Sequence, residues 1–227
     1  MLLKKDNIID GVDLNVQIRT TIADSYSYID AAAVQYGETS MEFQMDSFYL
    51  NGEKMNLNEL DVVDLGNGSK VTKVRDAKGK QRFRVNIIGV IFFDVWSTKH
   101  YMGIKVEQSK HLDGSFGMLG DYRTGNMVSR HGDILDNFEA FAFDWQVNPM
   151  EDPQIFMNAR EPQLPYERCR LPTVSADSRR RKLRGVNNHL YEKAVEACTV
   201  NQLPSNVQSC IDDVMFTGEL ELAFEDI

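Results

Sequence analysis

Val12-Asp13-Leu14-Asn15-Val16-Gln17-Ile18-Arg19 sets one apolar residue against one polar residue along its whole length. Pleating sends successive side chains of a strand to opposite faces, so this alternation predicts a half-buried β-strand. The pattern continues outward. Tyr26-Ser27-Tyr28-Ile29 leads into Ala31-Ala32-Ala33-Val34-Gln35-Tyr36, Gly37-Glu38-Thr39-Ser40 turns the chain, and Met41-Glu42-Phe43-Gln44-Met45 alternates again. Asn51-Gly52 is a strong hairpin signal because both residues tolerate positive φ; Asn67-Gly68 and Lys78-Gly79-Lys80 punctuate later pairs. Arg82 to Ile87, Val90 to Trp96 and Tyr101 to Val106 complete the series. Short strands at this spacing, without intervening helical periods, predict a mainly β fold over residues 1–148, an antiparallel sandwich or curled sheet.

The texture changes after Gln146. Pro149, Pro153, Pro162, Pro165 and Pro172 crowd together and predict an extended, Pro-rich strap on the surface. Residues 149–186 therefore read as strap and linker, the linker carrying the basic run Arg179-Arg180-Arg181-Lys182-Leu183-Arg184. Residues 187–227 read as a small helical unit. Leu190, Ala194, Val195 and Cys198 have helical spacing, Pro204 suits the start of a second helix through Val214, and Gly218 suits its stop.

The 227 residues, 42% hydrophobic and 26% charged, suffice for an ordered core. A formal charge of −9 argues against nucleic acid as the main partner, since phosphate binding needs a basic face. No stretch approaches the ~20 apolar residues of a membrane-spanning helix. Met1-Leu2-Leu3-Lys4-Lys5-Asp6 lacks the apolar run of a secretory signal.

Catalytic constellations do not emerge, so the catalytic set is empty. His100, His111, His131 and His189 lack partners at triad or metal-ligand spacing, and Ser115 and Ser129 lie outside any nucleophile-elbow context. Gly114, Gly117 and Gly120 are spaced like part of a phosphate loop, yet no Lys-Ser/Thr follows. Phe92, Phe93, Trp96 and Trp145 read as core rather than as a carbohydrate platform. Arg181, Lys182 and Arg184 are open to a nuclear-localisation or nucleic-acid patch, to proteolytic processing, or to a solvated linker, with the last preferred. Cys198 and Cys210 lie on adjacent predicted helices, free as buried thiols or joined as a disulfide.

Several of these stretches together resemble a von Willebrand factor type D domain. Val12 to Thr21 and Ser27 to Val34 are similar to its strands, and Gly114 to Tyr122 looks like its Cys-Gly-Leu-Cys-Gly-Asn-Tyr motif. Phe141 to Val147 looks like its Phe-Gly-x-x-Trp-x-Val closing motif, and Ala197 to Ala223 resembles the helical cysteine module that often follows. The Gly-Met-Leu-Gly-Asp-Tyr variant is similar to type D domains of algal and diatom-like proteins. Phe116 and Leu119 stand where the family has cysteines, so apolar packing is expected to replace that bridge. The family's opening Gly-Asp-Pro-His strand is missing here, which implies an N-terminally truncated piece of a longer secreted or cell-surface protein.

The resemblance also implies a Cys198–Cys210 disulfide, with Cys169 unpaired or paired outside this chain. In many type D domains calcium sits after the glycine motif. The oxygen ligands available for it here would be Asp121, Asn126, Asp133 and Asp136. Arg123 stands where an acid is usual, and the same residues serve equally as turn formers, which is the preferred reading. The expected function is a non-enzymatic extracellular adhesion, matrix or multimerisation module, needing no cofactor, with calcium as an optional aid. Its partners would be other extracellular proteins or matrix glycans. The alternative is a lipid- or polysaccharide-binding β domain; a hydrolase ranks third.

Overall fold

The computed structural model describes residues 1–9, 11–23, 26–59, 61–75, 81–98, 100–107, 109–148, 150–157, 185, 187–204 and 206–224. By its internal contacts the chain divides into two compact units, one of Met1–Thr21 with Tyr28–Arg170, the other of Ile22–Ser27 with Leu171–Ile227. Among the described residues no helix is long and apolar enough to cross a membrane.

The fold is mainly β, a curled antiparallel sheet of eleven strands among the described residues. They are β1 (Leu3–Ile9), β2 (Val12–Ala23), β3 (Tyr26–Tyr36), β4 (Thr39–Gln44), β5 (Ser47–Leu50), β6 (Glu53–Lys54), β7 (Val62–Gly66), β8 (Ser69–Arg75), β9 (Gln81–Ile87), β10 (Ile91–Ser97) and β11 (Met102–Val106). One path runs β6-β5-β4-β3-β11-β10-β9-β8-β7, and β1 joins through β2, which pairs with β3. A strand has two edges, yet β3 has three partners, so two of them share one edge in succession. β4 pairs along Ala31–Tyr36 and β11 at Ile29, making β3 the hinge from which the sheet curls.

Turn chemistry follows the sequence closely. Asn51-Gly52 and Asn67-Gly68 take positive φ at both residues and close the β5–β6 and β7–β8 hairpins, as the type I′ geometry requires. The β9–β10 turn uses Ile88 at φ 50, a conformation that costs a β-branched residue strain.

The curl encloses one apolar core. Leu14, Val16, Ala32, Val34, Phe43, Val85, Ile87, Ile91, Phe93 and Val95 are fully buried in it. Phe43, Phe48 and Phe83 cluster with ring centroids 4.9 to 5.6 Å apart. Phe92 and Trp96 depart from the core expectation. They alternate with Phe93 and Val95 along β10, so they emerge half-buried on the opposite face. There Trp96 lies across its cross-strand neighbour Gly103, where any Cβ would fall 2.3 Å from the ring, while the Arg82 guanidinium stands 5.2 Å from its centroid.

The polar face of β2 and its neighbours is covered as well. The segment 153–157 crosses it: Gln17 Nε2 donates to Pro153 O at 2.7 Å, Ser40 Oγ to Ile155 O at 3.3 Å, and Met157 N to Glu42 Oε2 at 2.8 Å. Ala31 and Ala33 alternate with the core residues Ala32 and Val34, and both are fully buried. Small side chains leave room for a strap at van der Waals distance, which explains alanine in a strand where branched residues are commoner.

In the second unit, α2 (Asn188–Asn201) and α3 (Val207–Thr217) are followed by a 3-10 turn, Leu220–Phe224. The Cys198–Cys210 disulfide joins the two helices, with both cysteines buried. Asn187 caps α2 through Leu190 N, and Gly218 ends α3 in the left-handed conformation.

Candidate functional site

The glycine segment is held against the edge of β1. Lys4 and Phe116 exchange backbone hydrogen bonds of 2.7 and 3.0 Å, and Met118 N and Leu119 N donate to Met1 O and Leu2 O. Gly117 (φ 139) is the point of closest approach. A Cβ there would sit 2.5 Å from Leu2 O, so only glycine fits. Gly120 has the same role one turn on, since its Cβ would lie 2.7 Å from Asn126 O. The segment therefore adds a short, irregular strand to an otherwise open sheet edge.

Beyond it, Asp121 spends a carboxylate oxygen on the backbone of its own loop. Asp121 Oδ1 accepts from Arg123 N at 2.8 Å and Thr124 N at 3.3 Å, while Asp121 N donates to Asn126 O at 2.8 Å. The Arg123 N–H holds the Asp121 carboxyl below the usual carboxylate range, against partial desolvation, and Thr124 adds to the effect. Asp133 belongs to the next turn, where Ser129 N donates to Asp133 O and Asp133 N to Ser129 Oγ. Asp136 is exposed, and Asn137 caps α1 (Phe138–Asp144) by accepting from Ala140 N at 3.0 Å. Thus Asp121 and Asn126 meet through backbone, with Asp133 in a separate turn. Among the described residues, no cluster of three or more His, Cys, Asp or Glu side chains is placed to hold a metal.

Arg130 organises the polar interior of this region. Its guanidinium binds both oxygens of Asp152 at 2.7 and 2.8 Å, donates to Asp144 O and Gln146 O, and lies 4.9 Å from the Trp145 ring centroid. Burial opposes the charge on Asp152, yet Arg130 and the Asn148 N–H hold its carboxyl below the usual value. Trp145 is buried beside Met1 and Phe141, donates through its indole nitrogen to Val128 O, and stacks with Phe116 at 6.1 Å. Phe116 stacks on Trp145 yet stays 39% exposed, and Leu119 is 45% exposed, so neither residue is buried.

Leu119 opens instead onto a groove of about 420 Å³. Leu2, Ile29, Ile104, Val106 and Tyr122 line it, and Asp121 stands at its margin. Tyr122 is fixed at the base by its hydroxyl, which accepts from Ser109 N and donates to Glu107 O.

Arg130, Asp152 and the groove had no signature in sequence. Their partners lie on separate segments, so no fixed spacing marks them. The one local cue was Trp145, whose indole N–H and ring edge require neighbours when buried. Cys169 and the basic residues Arg181, Lys182 and Arg184 lie outside the described residues. No protein-family model and no curated protein matches this chain.

Proposed function

We propose that this protein is a non-enzymatic binding module, working outside the cell or at its surface in adhesion, matrix assembly or multimerisation. The observation that carries the reading is the Cys198–Cys210 disulfide. Such bonds persist in oxidising compartments, and here one staples two short helices with little core of their own. The rigid curled sheet and the resemblance to type D domains support the same reading. Partners are other extracellular proteins or matrix glycans.

The test is to recover the protein from its native source with thiols trapped during lysis, then to map its cysteines and fractionate the cells. A Cys198–Cys210 linked peptide in the secreted or surface fraction is expected. Free thiols in a cytosolic fraction would overturn the proposal.

In this reading calcium is an optional aid, since Asp121 Oδ1 already accepts two backbone hydrogen bonds. Adding calcium is expected to leave the unfolding midpoint unchanged; a rise would restore Asp121, Asn126, Asp133 and Asp136 as ligands. Lipid binding is the second reading, favoured by the apolar groove beside Leu119. It predicts that a fluorescent fatty acid is displaced when Leu119→Arg fills the opening.

A further inference from the structure

The groove beside Leu119 is a gap in the wall of the core. Ile104 and Val106 on β11 stand opposite Val95 and Phe93 on β10, and Ile29 on β3 stands opposite Met102. Directly opposed residues share one face of a sheet, so all three turn toward the core. Val95 and Phe93 are fully buried and Met102 is 3% exposed, whereas Ile29, Ile104 and Val106 stay half-buried. The glycine segment is bonded along Met1, Leu2 and Lys4, and the groove remains between it and β11. Its volume of about 420 Å³ lies within the ~300–1,000 Å³ of small-ligand sites.

The wall selects what can enter. Its aliphatic side chains offer only hydrocarbon, and the Tyr122 hydroxyl is already bonded to Ser109 N and Glu107 O. A saccharide or a peptide backbone would leave its polar groups unpaired against such a wall, and an alkyl chain would not. Among the described residues, Asp121 is the one charged member of the wall. Its carboxylate accepts from the amides of Arg123 and Thr124, and among the described residues no basic side chain forms an ion pair with it. The Arg123 amide, helped by Thr124, holds the carboxyl below the usual range, so it is ionised at neutral pH. The Arg123 side chain is exposed and is not part of the wall. A fatty carboxylate would therefore meet a like charge, in a chain of net charge −9. An ammonium group meets an opposite one.

We propose that the groove beside Leu119 holds the alkyl chain of a cationic amphiphile, a long-chain amine, with its ammonium group at Asp121. The proposal rests on the lipid-binding reading and names the headgroup.

The experiment loads the full chain with the uncharged fluorophore N-phenyl-1-naphthylamine and displaces it with decylamine, 1-decanol or decanoate. The three share a chain length and differ in charge. Decylamine is expected to displace the fluorophore at a concentration at least roughly fivefold below that of decanoate, and the gap to narrow as salt rises. Asp121→Asn keeps an Oδ1 acceptor for the two amides and removes the charge, so decylamine should lose its lead. Leu119→Arg should abolish uptake of the fluorophore. Leu119 is exposed, so circular dichroism of this variant should match the parent.

Equal displacement by amine, alcohol and carboxylate would overturn the headgroup and leave the lipid reading standing. A decylamine lead that survives Asp121→Asn would do the same. Fluorophore uptake that is absent from the parent chain, or unchanged by Leu119→Arg, would overturn both. Self-association in sedimentation that Leu119→Arg abolishes would put a second copy in the groove and overturn the proposal.

Discussion

Gly117 and Asp213 show how much can hang on one atom or one proton. At Gly117 the φ of 139 and the 2.5 Å approach of Leu2 O both exclude a side chain. Gly117→Ala should therefore destabilise the β unit by roughly 2–3 kcal/mol in urea unfolding, the scale of local backbone strain plus a clash. Gly132→Ala, where φ is 91 but nothing lies within 4 Å, should cost only about 1 kcal/mol. Asp213 on α3 concerns a proton. Burial, with the charge of Asp212 adding to it, pushes its carboxyl up from 3.8 to about 6. A carboxyl raised in the folded state favours folding while protonated, and that contribution fades as pH climbs from 3.8 through 6. The helical unit should then be more stable at pH 5 than at pH 7.5, and Asp213→Asn should remove the difference, read by thermal melts. Asp152 has the opposite sign. Its depressed carboxyl stabilises fully above pH 3.8 and loses that contribution as pH falls through its lowered folded value.

Elements here depend on what crosses them. β2, β3 and β4 place Gln17, Ser40 and Glu42 where the strap 153–157 can bond, and Ala31 and Ala33 leave it space. Ala33→Leu should lift the strap, and limited proteolysis should then cut near 150–157 much faster than in the parent chain. Arg130 joins the end of α1 to Asp152 in the same way. Arg130→Met leaves a buried carboxylate without its partner and should cost about 3–5 kcal/mol. In the second unit the disulfide closes a short loop between α2 and α3, the cysteines being 12 positions apart. Replacing both cysteines by serine should cost that unit roughly 3 kcal/mol, read as a lower melting point of its helical signal.

Across the whole molecule, the apolar pattern was the most legible feature. Alternation at Val12–Arg19 and again at Arg82–Trp96 marked strands whose Leu14, Val16, Phe83, Val85, Phe93 and Val95 fill one core, and Asn-Gly pairs marked the hairpins. The pattern was less informative about the other face. Gln17 and Glu42 are 1% exposed although they read as solvent-facing, because a distant strap covers them. The candidate site divided similarly. The acidic residues after the glycine turn were visible as a set, yet the Asp121 carboxylate bonds to neighbouring amides and Asp133 sits in a separate turn. The cysteine pairing followed from resemblance, whereas Arg130 and Asp152 had no spacing to mark them.

Sequence alone determined the β-rich architecture, the hairpin positions and the two helices of the second unit. Those depend on periodicity, turn chemistry and capping, which act over a few residues. Only the tertiary structure decided that β3 carries three partners, that the glycine segment covers the edge of β1, and that α1 exposes Phe138 and Phe143. Each depends on which distant segment arrives at a surface, and local preferences do not encode that arrival. The glycines at 117 and 120 join the two levels: their identity is plain in the chain, but the backbone oxygens that require them are supplied from elsewhere in the fold.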